Sequence, residues 1–145
     1  VGIWTKTATV EQLNAAGADS LGGILGIELT EIGEDYLRGT LPVDARTRQP
    51  FGLLHGGASV ALAESLGSLA CWLCLPDDGT LAVGLEVNAN HLRAKREGVV
   101  TGTARPLHRG RSTQVWEIRI EDEDGALVCI SRLTMAVVPP RAVGG

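Results

Sequence analysis

The sequence predicts an α+β domain in which one long, apolar, buried helix is wrapped by a curved antiparallel sheet of about six strands. Three observations carry this. Residues 57–75 are almost all apolar or small, contain no proline, and suffice for a helix of about 27 Å. Two strand-like runs, 27–32 and 36–43, precede that segment, and four more, 81–91, 99–107, 113–121 and 126–138, follow it. The 145 residues, 44% of them apolar, have the size of one domain, so 1–145 is read as a single unit.

Each element has a local reason. Residues 9–16 read as a short helix: Thr9 with Gln12 three positions on is a capping-box pattern, and Gly17 stops it. Residues 21–25 are glycine-broken and suit a turn of helix or a loop. Gly33, Glu34 and Asp35 make the turn of a hairpin between the first two strands, and Pro42 marks an edge or a strand end. In the long helix nearly every position is apolar or small, which predicts burial on all sides. Its small residues, Ala58, Ala61, Ala63, Gly67, Ser68 and Ala70, allow a sheet to come close to the axis. Pro76-Asp77-Asp78-Gly79 ends it. The last four strands are expected to run as a meander, with Glu123-Asp124-Gly125 as a hairpin turn and Trp116, Ile118 and Ile120 on one face. The tail 139–145 is expected to be loose. A six-strand sheet leaves edges to manage, and pairing them in a dimer is one solution.

Composition excludes several classes. The net charge of −4 argues against nucleic-acid binding through bulk charge. Charge is uneven, however: Arg93, Lys95, Arg96, Arg105, Arg109 and Arg111 fall in one stretch with Glu97 as the sole acid, which is either a solvated strand surface or a site for a small polyanion. Three cysteines and no readable secretory leader predict a cytoplasmic protein with reduced thiols. Cys71 and Cys74 have redox-motif spacing but lie near the end of the apolar segment, so they read as core residues. No second cysteine pair completes a zinc site, and His55, His91 and His108 lack ligand spacing, so neither metal nor cofactor is expected. Glu64 and the many Gly and Ser interrupt the only candidate membrane span.

The chemistry is concentrated around the helix. Glu64 is the only acidic residue from Ala45 to Pro76, and Val60, Ala61, Gly67 and Ser68, its neighbours at three and four positions, offer it no cation. Either it reaches solvent or a salt bridge through a gap in the sheet, or it faces a cleft as a base or nucleophile. Ser68, one turn on along the same face, could hydrogen-bond Glu64, position a water or simply pack. His55-Gly56-Gly57 opens the helix: glycines leave backbone N–H groups approachable, and the positive end of the helix dipole adds to them. That suits an oxyanion, although two glycines also make an ordinary tight turn. A serine triad is not expected, because Gly57-Ala58-Ser59-Val60-Ala61 lacks the last glycine of a nucleophile elbow. Asn88 to Arg93 gathers polar residues at a strand end, as an exposed loop also would.

His55-Gly56-Gly57-Ala58 followed by Glu64 resembles the hotdog-fold acyl-CoA thioesterases of the phenylacetate and 4-hydroxybenzoyl-CoA type, and among them most resembles the 1,4-dihydroxy-2-naphthoyl-CoA hydrolases of menaquinone biosynthesis. Further stretches carry the likeness over nearly the whole chain: Pro42-Val43-Asp44, Arg46-Thr47, Gln49 to Ser59, Leu62 to Ser65, Gly84-Leu85-Glu86, Asn88 to His91 with Arg93, Arg96-Glu97-Gly98 and Gln114-Val115-Trp116. The resemblance implies a homotetramer, a dimer of dimers, with the site between subunits. Gln49, His55 and Gly56 would come from one subunit and Glu64 from its partner. The Gly56 N–H would polarise the thioester carbonyl, Gln49 and His55 would orient it, and Glu64 would attack it or activate water that Ser68 helps to place. His91 and Arg93 match positions near the CoA arm. Gly57, Arg109 and Arg111 are added as CoA-binding candidates, since arginine suits phosphate.

The implied activity is hydrolysis of an aromatic acyl-CoA to the free acid and CoA. The alternatives are a broad-specificity phenylacetyl-, hydroxybenzoyl- or medium-chain acyl-CoA thioesterase, and a non-catalytic acyl-CoA-binding protein, against which the retained Gln49, His55 and Glu64 argue. A dehydratase on this fold would commonly need Asp and His, and no Asp lies between Asp44 and Asp77.

Overall fold

The computed structural model describes residues 2–141. In chain order it contains α1 (Val10–Gly17), α2 (Leu21–Leu25), β1 (Glu28–Ile32), β2 (Leu37–Pro42), α3 (Gly56–Leu73), β3 (Leu81–His91), β4 (Val99–Arg109), β5 (Thr113–Glu121) and β6 (Leu127–Val138). The capping box forms as the pattern required: Thr9 accepts from the Gln12 N–H and Gln12 from the Thr9 N–H. Pro42 is the last residue of an interior strand, a strand end and not an edge. Pro139, Pro140 and Arg141 are exposed and lie outside regular structure, and the remaining four residues of the expected tail fall outside the described range.

The six strands form one antiparallel sheet in the order β1-β2-β4-β5-β6-β3. The expected meander is therefore corrected: only β4, β5 and β6 run consecutively, and β3 pairs with β6 at the far edge. The link between β3 and β4, residues 92–98, crosses the end of three strand spacings, about 14 Å. Seven residues can span about 23 Å, so the length of the link permits either order. The short β1-β2 hairpin takes the free side of β4, and the 11-residue β3 matches the 12-residue β6 instead. Asn14 of α1 hydrogen-bonds both the N–H and the carbonyl of Leu29, at 2.8 and 2.9 Å, and so occupies part of the β1 edge.

α3 lies across one face of the sheet and packs against β2 to β6. Its buried residues fall in i, i+4 rows, Ala58, Leu62, Leu66 and Ala70 beside Ser59, Ala63, Gly67 and Cys71. Close approach comes from glycines on both partners. A Cβ built on Gly102 would lie 2.7 Å from the Leu66 side chain, and one built on Gly67 would lie 2.6 Å from Leu133. Leu66 is fully enclosed as a result, worth about 1.5–3 kcal/mol of apolar burial. From β5, Trp116, Ile118 and Ile120 are fully buried against the same face. The expectation of all-round burial is corrected here, because within one chain the outer side of α3 is only half-covered and Trp72 is 40% exposed. An all-apolar helix hides from its sequence which side is open, since composition does not vary around it.

Candidate active site

The start of α3 is the most specific local structure in the chain. His55 is its N-cap, in an extended conformation, and its Nδ1 accepts from the Gly57 N–H at 2.8 Å. The His55 carbonyl accepts from Ala58 at 2.9 Å and Ser59 at 3.3 Å. The Gly56 N–H has no acceptor among the described residues, and it stands at the positive end of an 18-residue helix. Because Nδ1 accepts, the neutral ring of His55 carries its proton on Nε2, facing outward as a donor.

Beside this free N–H opens a cleft of about 400 Å3 lined by Gln49, Gly56, Ser59, His91 and Arg93. Gln49 is fixed by its own loop: its side-chain carbonyl accepts from the N–H groups of Phe51 at 2.6 Å and Leu53 at 3.3 Å, so its NH2 is left to donate elsewhere. His91 ends β3, and its ring lies so near the helix start that a Cβ on Gly56 would come within 2.9 Å of Nε2. Arg93 lies on the crossing link, which is tied down where Leu92 and Arg93 donate to the Val128 carbonyl and Lys95 accepts from Leu54. Lys95 also pairs with Glu123, whose carboxyl is held down to about 2, first by that hydrogen-bonded ammonium. The unexpected strand order thus carries Arg93 over the helix start.

Glu64 belongs to a different place. It is half-buried, and among the described residues no hydrogen bond or ion pair engages its carboxylate. One carboxylate oxygen lies against the backbone of β3, where a Cβ on Gly84 would be 2.9 Å away. It lies eight helical steps beyond Gly56, about 12 Å along the axis. The two groups also face different parts of β3, Glu64 at Gly84 and Gly56 at His91. Ser68 donates to the Glu64 main-chain carbonyl at 2.6 Å and not to its carboxylate.

The basic stretch does not form one patch. Arg105 pairs with Asp35, Lys95 with Glu123, and Arg109 donates to the Ile3 carbonyl at 3.4 Å beside Cys74, at the far end of α3. Arg111 sits in the turn after β4. Of the proposed CoA-binding arginines only Arg93 lines the cleft, and β4 separates the others from it. Burial raises all three thiols; Cys71, fully enclosed, is pushed up to about 12, so the Cys71–Cys74 pair is inert core material. No cluster that could hold a metal occurs among the described residues, and no described helix is long and apolar enough to cross a membrane.

The sequence reading missed a second, mostly apolar cleft of about 390 Å3 between α1, α2 and the open side of α3. Leu13, Gly22, Ile27, Leu69 and Trp72 line it, with Ser65 as a polar point. Its signal is the row Ser65, Leu69 and Trp72, which a helix apolar on every side does not set apart.

The chain has clear relatives. A family model described as the thioesterase superfamily matches residues 51–129. The 1,4-dihydroxy-2-naphthoyl-CoA hydrolase of Escherichia coli is 55% identical over 136 residues, covering 94% of this chain and 99% of that one. The crystal structure of thioesterase HI1161 from Haemophilus influenzae superposes with a TM-score of 0.94 at 51% identity, covering 99% of both chains. A mutant of thioesterase PA1618 from Pseudomonas aeruginosa superposes with a TM-score of 0.93 at 55% identity, covering 95% of this chain and 99% of that one.

Proposed function

Since the chain belongs to the thioesterase superfamily and is a thioester hydrolase of hotdog fold, we propose that it hydrolyses an aromatic acyl-CoA, 1,4-dihydroxy-2-naphthoyl-CoA or a near analogue, at sites shared between two copies. The observation that carries this is the separation of Gly56 from Glu64. An oxyanion donor must lie about 3 Å from the carbonyl oxygen, and a nucleophile about 3–3.5 Å from the carbonyl carbon. Groups about 12 Å apart along one helix do not meet at one thioester, so each carbonyl takes Gly56 from one chain and Glu64 from another.

The β3 edge supplies the means. Leu81, Val83 and Leu85 are 58, 47 and 60% exposed on an 11-residue edge strand. Pairing β3 with its copy about a two-fold axis covers them and continues the sheet. Glu64, lying over β3, is thereby brought toward the partner's helix start. Such dimers pair further into tetramers.

In the assembled site the Gly56 N–H takes the charge that develops on the carbonyl oxygen, while the Gln49 NH2 and His55 Nε2–H hold the thioester in place. Glu64 of the other chain attacks the carbonyl carbon to give an anhydride that a water then hydrolyses, or takes the proton of a water that attacks directly; in either case CoA leaves as a thiolate that needs no strong acid. The Ser68 hydroxyl, its proton committed to the Glu64 carbonyl, accepts from that water. His91 and Arg93 take the CoA arm. Arg109 and Arg111, at the other end of α3, reach CoA only if the partner brings it to them. The acyl group enters the apolar cleft beside α1 and α2, whose lining includes Ser65 as a polar group for a ring hydroxyl. The enzyme works in the cytoplasm, in menaquinone synthesis.

A thiol-release assay with a panel of aromatic and fatty acyl-CoA esters tests this. Hydroxylated aryl esters are expected to lead the panel, and Glu64→Ala is expected to lose about 10²–10⁴-fold in rate. A folded Glu64→Ala protein working at the wild-type rate sinks the proposal. A panel led by fatty esters would leave a thioesterase of the alternative, broader kind.

A further inference from the structure

Among the described residues the Glu64 carboxylate has no hydrogen-bond or ion-pair partner, yet it is not loose. It rests in a space on the edge strand that exists because residue 84 has no side chain. The strand is irregular at this point. Gly84 pairs with Met135 and Glu86 with Thr134, so Leu85 is an extra residue and β3 is bulged. The bulge changes which residues face the helix. Ahead of it Ala82 packs toward the core and Gly84 meets Glu64; beyond it Val87 and Ala89 pack toward the core. In an unbroken strand the alternation that places Ala82 and Gly84 would place Glu86 there as well, bringing a second carboxylate beside Glu64. Two like charges so close would repel each other. Instead Glu86 is exposed and accepts from the Asn88 side chain at 3.0 and 3.1 Å.

We propose that Gly84, with the bulge that follows it, is the positioning residue for the Glu64 carboxylate: it seats the group at the sheet edge and keeps Glu86 away. This rests on the reading of Glu64 as nucleophile or base. A Cβ at residue 84 would stand 2.9 Å from the carboxylate oxygen, inside normal contact. What it meets is the far end of a flexible side chain and not backbone, so the carboxylate yields and the fold does not.

The test is Gly84→Ala in the full-length chain. The account expects kcat to fall about 10²-fold, the scale for a group displaced by an ångström, while KM for the acyl-CoA, the unfolding temperature and the sedimentation coefficient stay at wild-type values. It also expects coupling to Glu64. The shorter side chain of Glu64→Asp clears the added methyl, so this change costs much less in the Gly84→Ala background than in the wild type. Wild-type kcat in Gly84→Ala, or equal loss from Glu64→Asp in both backgrounds, overturns the proposal. Should Gly84→Ala unfold or dissociate, adding Glu64→Ala decides the matter. Restored folding supports a clash with the carboxylate, and a defect that persists without the carboxylate overturns it. The two readings fail separately: an active Glu64→Ala enzyme defeats the functional assignment, whereas an inactive Glu64→Ala beside a fully active Gly84→Ala defeats only this inference.

Discussion

Among the described residues the N-terminal end of α3 leaves the Gly56 N–H without an acceptor and opens onto a cleft, whereas the last carbonyls at its C-terminal end are engaged. There the carbonyls of Cys71, Trp72, Leu73 and Cys74 all accept hydrogen bonds. The N-terminal segment supplies much of this: Thr5 and Lys6 donate their N–H groups to Leu73 at 2.9 and 3.0 Å, and the Thr5 hydroxyl reaches Cys74 at 2.9 Å. Lys6 places its ammonium near the Pro76 carbonyl, 5.0 Å from the centre of the Trp72 ring. A cation at a helix C-terminus and donors for its last carbonyls are what stability asks for. The opposite end forgoes that satisfaction at Gly56, and this free donor is the group proposed to take the thioester oxygen.

The difference can be broken from either side. Gly56→Ala should have the largest effect, a loss of about 10²–10³-fold in kcat, because the new methyl presses on the His91 ring and shifts the donor. Gly56 does not have a positive φ, so its unfolding temperature should stay close to wild type. Equal loss of activity and of stability would erase the contrast between the ends. Lys6→Ala is the mirror experiment. It should lower stability by about 1 kcal/mol in chemical denaturation and leave kcat unchanged.

A smaller effect concerns the link that carries Arg93. The Glu123 carboxyl sits at about 2 when folded against 4.5 when free, so its contribution to stability is complete above pH 4.5. As pH falls the folded carboxyl is protonated too, and the contribution fades toward pH 2. Lys95 is shifted upward, which keeps its half of the pair charged through neutral and mildly alkaline pH. Wild type should therefore outlast Glu123→Gln in thermal melts at neutral pH, with the two melts converging near the acid end of that window. A gap that widens on acidification would mean that the pair does not hold the link.

Much of this molecule was legible before its structure. A lone acid in an apolar helix and two glycines at the helix start are local patterns, and the strands around them alternate plainly enough to be bounded within a few residues. What escaped depends on relations between distant residues. The place of β3 was hidden because its link to β4 is long enough for either edge. The open side of α3 was hidden because its residues are apolar all round. The basic stretch looked continuous along the chain, but β4 carries its two ends to different parts of the fold. Gly84 lay in a motif already singled out, yet its meaning depends on a strand register that only pairing with β6 creates. Helical spacing puts Ser68 one turn from Glu64, while its bond to the Glu64 main-chain carbonyl depends on a rotamer no sequence states.

The central claim is that the helix start of one chain and the Glu64 of another make each site, and mixing two inactive proteins tests it most directly. Gln49→Ala and Glu64→Ala chains are each purified, combined in equal amounts and allowed to exchange subunits, with exchange verified by native mass spectrometry. In a mixed dimer one site has both defects and the other has neither. Random pairing then restores about a quarter of wild-type activity. Recovery to that level is the predicted result; no recovery in a mixture whose subunits have demonstrably exchanged would place the whole site within one chain and contradict the account.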